Sequence, residues 1–128
     1  MRAEVAGTLG YIAPEVLLGE SPSEVSDLYA VGVIAYEVLT EQPPFEPVDD
    51  ERMLHRLLDP ERQPDFAPLS ELGDVCAVVR RLMERAPSER FASAAAALSR
   101  MGVPLWRAYV ILFFFFFQAE DGIRDGTV

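Results

Sequence analysis

The feature that most constrains this chain is an apolar segment from Asp27 to Thr40, which carries no charge between Leu28 and Tyr36. Its apolar residues fall on every face of a helix, a pattern that predicts burial by protein on all sides. A helix that crosses a lipid bilayer needs about 18 or more such residues, so the segment predicts a buried helix of a globular domain. Either Ser26 or Asp27 could cap its start, and Pro43-Pro44 ends it.

The remaining helical segments are shorter and are separated by loops rich in proline, glycine and serine. The clearest runs from Ser70 to Met83, where apolar residues recur at helical spacing. Three others are predicted at Pro14–Leu18, Asp49–Leu58 and Ser93–Met101. Because no segment alternates apolar and polar residues as a strand does, the predicted fold class is all-α.

Composition narrows the classes of partner and cofactor. The formal net charge of −10 repels phosphate backbones and anionic lipid surfaces, so we expect no nucleic-acid partner and no electrostatic binding to membranes. Because the apolar stretches of the chain are shorter than a span, we also expect no membrane segment. One cysteine and one histidine cannot form the usual four-ligand zinc site, and Asp49-Asp50-Glu51 is typical of a solvated helix start. The first residues lack the apolar stretch of a secretory signal, which predicts a cytoplasmic location.

The character of the sequence changes after Tyr109, where VILFFFFF precedes QAEDGIRDGTV. All eleven basic residues are arginine and no lysine or asparagine occurs, which indicates GC-rich codon usage that a run of phenylalanine codons interrupts. Gln118–Asp125 can be back-translated into a common sequencing adapter. We therefore predict that residues 105–128 are a non-native or disordered tail, read through from an adapter, and that residues 1–104 form a partial domain. A membrane anchor is the alternative, but Ala108–Phe117 is only about half of a span.

Three segments, in the expected order, resemble the C-terminal lobe of a serine/threonine protein kinase of the bacterial, eukaryotic-like type. GTLGYIAPE resembles the end of the activation segment with its Ala-Pro-Glu motif, and SDLYAVGVIAYEVLTEQPPF resembles the central buried helix. RRLMERAPSERFASAAAAL resembles the last two helices and the arginine-bearing turn between them. The resemblance covers residues 7–101 and implies a truncated, helical C-lobe portion of the kinase fold.

The resemblance also implies a substrate-binding loop at the start of the chain. Thr8 would hydrogen-bond to the catalytic aspartate of the family. Leu9, Gly10 and Tyr11 would complete the loop that receives the substrate residue after the phosphate acceptor. The alternative for this stretch is an ordinary turn.

Three further residues match structural positions of the family. Glu15 and Arg90 resemble the ion pair that joins the Ala-Pro-Glu helix to the penultimate turn, and planar bidentate pairing suits arginine. The alternative is two unrelated surface charges. Asp27 resembles the acid that accepts backbone N–H bonds from the catalytic loop, and as an alternative or additional role it would cap the helix.

The catalytic motifs of the family do not occur in this sequence. It has no G-x-G-x-x-G, no lysine to contact the nucleotide, and no asparagine for an H-R-D-x-x-x-x-N loop. Asp65-Phe66-Ala67 follows Ala-Pro-Glu instead of preceding it, so its likeness to Asp-Phe-Gly is a coincidence. We therefore predict no catalytic, cofactor-binding or metal-binding residue in this chain.

Three hypotheses for function follow as expectations. The parent protein would use ATP and Mg²⁺ to phosphorylate serine or threonine of a protein substrate, whereas this chain alone would be inactive. A non-catalytic, kinase-like protein-binding module is the alternative, and an unrelated acidic helical adaptor is a third. Because segments that partly cover the central helix in the family are absent here, we also expect exposed apolar surface.

Overall fold

The computed structural model describes residues 9–102, 107 and 110–116, and these residues form helices and turns without a strand. The all-α prediction is therefore confirmed for the described part of the chain. The α-helices are α1 (Pro14–Leu17), α2 (Glu24–Thr40), α3 (Asp50–Leu58), α4 (Asp74–Leu82) and α5 (Ala94–Arg100). Short 3-10 helices lie at Leu9–Tyr11, Ala67–Leu72 and Pro87–Glu89.

Helix α2 begins at Glu24, earlier than the sequence pattern predicts. Ser23 is its N-cap, because the Ser23 hydroxyl accepts a hydrogen bond from the Ser26 backbone N–H at 3.2 Å, and the Ser23 N–H donates to the Ser26 hydroxyl at 2.7 Å. The prediction that Ser26 or Asp27 caps the helix is thus wrong. Asp27 instead lies in the first turn, where a carboxylate is favoured by the positive end of the helix dipole.

The two faces of α2 differ sharply in exposure. One face is buried and includes Leu28, Tyr29, Val33 and Tyr36. The other face is exposed, with Val31 at 50%, Ile34 at 52%, Val38 at 72% and Leu39 at 44% of their reference areas. The prediction of burial on all sides is wrong for this chain, because no described element packs on the second face. The expected exposure of apolar surface is confirmed.

Helices α2 and α4 pack closely at Gly32. A Cβ atom added at Gly32 would lie 2.7 Å from Met83 Cγ and 2.8 Å from Leu82 Cβ, both shorter than normal contacts. A glycine is therefore required sterically at this crossing. The core beside it contains Val33, Leu69 and Val79 among its buried residues.

The segment predicted as one helix from Ser70 to Met83 is interrupted. Ala67–Leu72 is a 3-10 helix, and Gly73 then adopts φ 57° and ψ −117° before α4 begins at Asp74. A positive φ is a conformation that glycine adopts at little cost, so Gly73 provides the break. The apolar spacing remains correct within α4 itself, where Val78, Val79 and Leu82 are buried.

The tail predicted for residues 105–128 lies mostly outside the described residues. Residues 110–116 are helical, and their side chains are exposed, from 56% for Val110 to 72% for Phe115. Within the described ranges, no helix has both the length and the apolar character to cross a bilayer.

Candidate functional site

A cleft of about 220 Å³ lies between the Leu9–Tyr11 turn, helix α2 and the segment that leads into α3. Its lining residues are Gly10, Tyr11, Val33, Glu37, Pro43, Pro44, Phe45, Pro47, Val48 and Met53. Pockets for whole small molecules span about 300–1,000 Å³, so this cleft is better matched to one or two side chains of a polypeptide. Most of its wall is apolar, and Glu37 supplies a carboxylate.

The polar part of the cleft is a contact between Tyr11 and Glu37. The Tyr11 hydroxyl lies 2.9 Å from Glu37 Oε1 and 2.7 Å from Oε2. A single hydroxyl proton serves both oxygens, so the carboxylate retains the capacity to accept from another donor. The hydrogen bond to Glu37 raises the pKa of Tyr11, and burial and the negative charge of Glu37 raise it further.

The predicted substrate loop is only partly described. Thr8 lies outside the described residues. Leu9 begins the 3-10 turn, and its carbonyl accepts from the Ile12 N–H at 3.1 Å. Gly10 and Tyr11 lie on the cleft wall.

Sequence reasoning missed Glu37, although a signal for it exists. Glu37 is the first charged residue after the uncharged segment Leu28–Tyr36. A charge at the end of a buried helix, close to a double proline, marks a point where the helix reaches a cleft or solvent. The structure shows that it reaches the cleft.

Glu15 and Arg90, which are 75 positions apart, form a bidentate ion pair. Arg90 Nη1 lies 2.7 Å from Glu15 Oε2, and Nη2 lies 2.8 Å from Oε1. The Arg90 side chain is fully buried and that of Glu15 is 11% exposed. Two parallel bonds to a carboxylate are the geometry that the planar guanidinium favours.

Arg90 also joins several other segments, and we call this set of contacts the Arg90 hub. Its guanidinium donates to the carbonyl oxygens of Glu84 at 2.7 Å, Arg85 at 3.1 Å and Val25 at 3.3 Å. The guanidinium carbon lies 5.1 Å from the centre of the Tyr29 ring, within range of a cation–π interaction. The hub thus links α1, the start of α2 and the loop after α4.

Burial and the ion pair with Arg90 shift the pKa of the Glu15 carboxyl in opposite directions. Burial alone raises its pKa, whereas hydrogen bonds from Arg90 and from its own backbone, together with the Arg90 charge, lower it. The net effect is a pKa below the ordinary value, so Glu15 is ionised at neutral pH.

Asp27, the single cysteine and the single histidine are not part of the Arg90 hub or of the cleft. The Asp27 side chain is exposed in the first turn of α2, and the described residues offer it no side-chain partner. Cys76 packs against the core, and His55 is exposed on α3. Across the described ranges, no group of histidine, cysteine, aspartate or glutamate could hold a metal ion.

These features define a helical lobe in which a short turn, a central helix and a following helix enclose a small, partly acidic cleft. The family model described as "Protein kinase domain" matches residues 2–100, and the chain belongs to this family. Its helical architecture is that of a kinase C-lobe fragment.

Bacterial serine/threonine-protein kinases are among the proteins similar to this chain. Pkn1 of Myxococcus xanthus is 37% identical over 105 residues, which cover 79% of this chain and 15% of Pkn1. PknK of Mycobacterium bovis is 38% identical over 93 residues, which cover 71% of this chain and 8% of PknK. This chain therefore spans a small part of these relatives.

A solved structure shows the same fold. The twitchin kinase region of C. elegans superposes with a TM-score of 0.63 at 27% sequence identity. The match covers 73% of this chain and 17% of the twitchin chain.

Proposed function

We propose that this chain is the peptide-binding base of a serine/threonine protein kinase. In the longer parent protein, phosphate passes from ATP, with Mg²⁺, to serine or threonine of a protein substrate. Membership of the kinase family and the names of the bacterial relatives support this reaction class. The observation that carries the proposal for this chain is the cleft in which Tyr11 holds the Glu37 carboxylate.

The chemistry of the cleft selects one kind of peptide. Pro44, Phe45 and Met53 present apolar surface, and Glu37 presents a carboxylate that can still accept hydrogen bonds. An apolar side chain next to a cationic one would satisfy both parts. The net charge of −10 favours the approach of such a basic peptide.

Phosphoryl transfer needs groups that this sequence does not supply. The reaction depends on positioned phosphates, metal ions and a group that orients the nucleophile. The chain has no lysine and no asparagine, so neither the nucleotide-contacting lysine nor the metal-binding asparagine of the family can come from it. We therefore assign it substrate binding and not catalysis, and the non-catalytic protein-binding module is the alternative.

Binding of fluorescent peptides to the purified full chain tests the proposal. We expect peptides with paired basic and apolar residues to bind, and acidic peptides of equal length not to bind. Glu37→Gln should weaken binding at least about 10-fold, because one hydrogen bond to a charged group contributes about 1.5–3 kcal/mol. The matched control Glu46→Gln removes the same charge from an exposed residue outside the cleft and should bind as the unmodified chain does.

Two further measurements separate the alternatives. Incubation with labelled ATP and a protein substrate should give no phosphate transfer, and chain-dependent transfer would contradict the assignment. The genomic reading frame upstream of Met1 should contain His-Arg-Asp and Asp-Phe-Gly motifs. A stop codon directly before Met1 would instead favour the non-catalytic protein-binding module.

A further inference from the structure

Helix α3 forms one wall of the cleft and contacts the Leu9–Tyr11 turn. Met53 lies on the cleft side of α3, and Val48 precedes the helix. Leu57 is the buried residue of this helix, at 1% exposure. From its last turn, Arg56 Nη1 donates to the Glu46 carbonyl at 3.0 Å, which ties α3 to the preceding loop. In this bond Arg56 is the donor, so the last carbonyls of α3 still need donors from elsewhere.

Arg85, in the loop after α4, holds the far end of α3. Its guanidinium donates to the Leu57 carbonyl, to the Asp59 carbonyl at 2.6 Å and to the Arg62 carbonyl at 3.0 Å. The last carbonyls of a helix lack partners within the helix, and a cationic side chain there satisfies them and matches the helix dipole. Among the described residues, Arg85 is the side chain that bonds a carbonyl of α3.

The loop after Arg62 is held by contacts that do not involve Arg85. The Tyr36 hydroxyl donates to the Asp65 carbonyl at 2.7 Å, and Arg80 lies 5.0 Å from the centre of the Phe66 ring. These contacts hold the loop further along the chain, whereas Arg85 bonds the C-terminal end of α3.

The backbone of Arg85 is itself held by the Arg90 hub. Arg90 Nη2 donates to the Arg85 carbonyl at 3.1 Å and to Glu15 Oε1 at 2.8 Å. Contacts therefore run from Glu15 in α1 through Arg90 to Arg85, and from the Arg85 side chain to the end of α3. The cleft wall at Met53 lies on the same helix.

We propose that Arg85 is a positioning residue that, held by the Arg90 hub, sets the end of α3 and thereby the α3 wall of the cleft. Its effect on α3 is independent of any ligand. Its effect on peptide binding rests on the proposed function of the cleft.

Hydrogen exchange of the full chain, followed by mass spectrometry at low micromolar concentration, tests the effect on α3. In Arg85→Gln we expect the α3 amides to exchange at least about 10-fold faster, with α2 and α4 unchanged, as expected for local opening. Arg85→Lys should be intermediate, because an ammonium keeps the charge but not the planar fork that reaches three carbonyls. The control Arg100→Gln breaks an exposed ion pair with Asp74 and should leave α3 unchanged.

Unchanged α3 exchange in Arg85→Gln would overturn the proposal, as would equal acceleration in α2, α3 and α4. If Arg85→Gln does not fold, Arg85→Lys decides by the same criterion: selectively faster α3 exchange supports the proposal and unchanged exchange overturns it.

Peptide affinity separates this proposal from the proposed function. Arg85→Gln should weaken binding of the basic and apolar peptide about 3- to 10-fold while Glu37 remains intact. If the unmodified chain binds no peptide but α3 loosens selectively, the proposed function fails and the positioning role stands. If both proteins bind equally well, the link from Arg85 to the cleft is overturned.

Discussion

The Arg90 hub and the Tyr11–Glu37 cleft are built from similar groups but differ in how completely those groups are satisfied. In the hub, both oxygens of the Glu15 carboxylate are paired with a guanidinium that no solvent reaches. In the cleft, one hydroxyl proton serves both oxygens of Glu37, and open space adjoins the carboxylate. The Glu15 carboxylate is therefore fully paired, whereas the Glu37 carboxylate can accept a hydrogen bond from a further donor.

This difference separates a structural ion pair from a binding group. A buried charge that loses its partner is costly, because nothing replaces the lost solvation. A carboxylate beside a cleft can be hydrated when its partner is removed, so its loss affects stability little and ligand binding more. Predictions for the two regions therefore differ in size and in the property that changes.

The largest effect is expected for Arg90→Met. The variant leaves the Glu15 carboxylate buried without its guanidinium, and breaking such a pair costs about 3–5 kcal/mol. Urea denaturation followed by circular dichroism measures the loss. The control Arg100→Met breaks an exposed pair with Asp74, for which about 0–1 kcal/mol is expected. Equal losses in the two variants would show that the hub is no more important than a surface pair.

A pH dependence of intermediate size is expected from Glu15. Its pKa is lowered in the folded state, so its charge stabilises the fold above pH 4.5, the ordinary pKa of such a carboxyl, and this contribution is lost as the pH falls through the lowered value. The Glu15→Gln variant has no carboxylate at this position and therefore lacks this stabilisation by charge. The stability difference between the unmodified chain and Glu15→Gln should therefore shrink between pH 6 and pH 3 in urea titrations. A constant difference over this range would contradict the assigned ion pair.

The smallest stability effect is expected for Tyr11→Phe. The variant removes one partly buried hydrogen bond, and the Glu37 carboxylate left behind can be hydrated from the cleft, so a loss of about 1 kcal/mol is expected. Urea denaturation measures it beside Arg90→Met. A loss as large as that of Arg90→Met would mean that the cleft contact is structural and would remove the distinction between the two regions.

Local sequence signals predicted much of the helical order. Asp49 accepts from the Arg52 N–H at 3.0 Å and Ser93 from the Ala96 N–H at 3.1 Å, and both caps involve neighbours in sequence. The same reasoning failed at α2, where the paired bonds of Ser23 and Ser26 move the start to Glu24. It also failed at Gly73, whose positive φ interrupts a continuous apolar pattern.

The candidate site was less predictable. Glu15 and Arg90 were paired by resemblance to a family, since no local pattern connects residues 75 positions apart. The sequence pattern predicts no role for Glu37 or Arg85. Each acts on groups from another segment, at a separation of 26 residues for Glu37 with Tyr11 and 28 for Arg85 with Leu57. Their roles depend on how helices are placed, which spacing along the chain does not reveal.

The sequence by itself determined the fold class, the family resemblance, the turn before the central helix and the caps of α3 and α5, because these depend on residue type and on contacts within about one helical turn. Only the tertiary structure decided which face of α2 is covered, which carboxylate is closed off and which remains open, and which arginine holds which helix. Burial and hydrogen bonding between distant segments control these features, and both arise only when the helices are packed together.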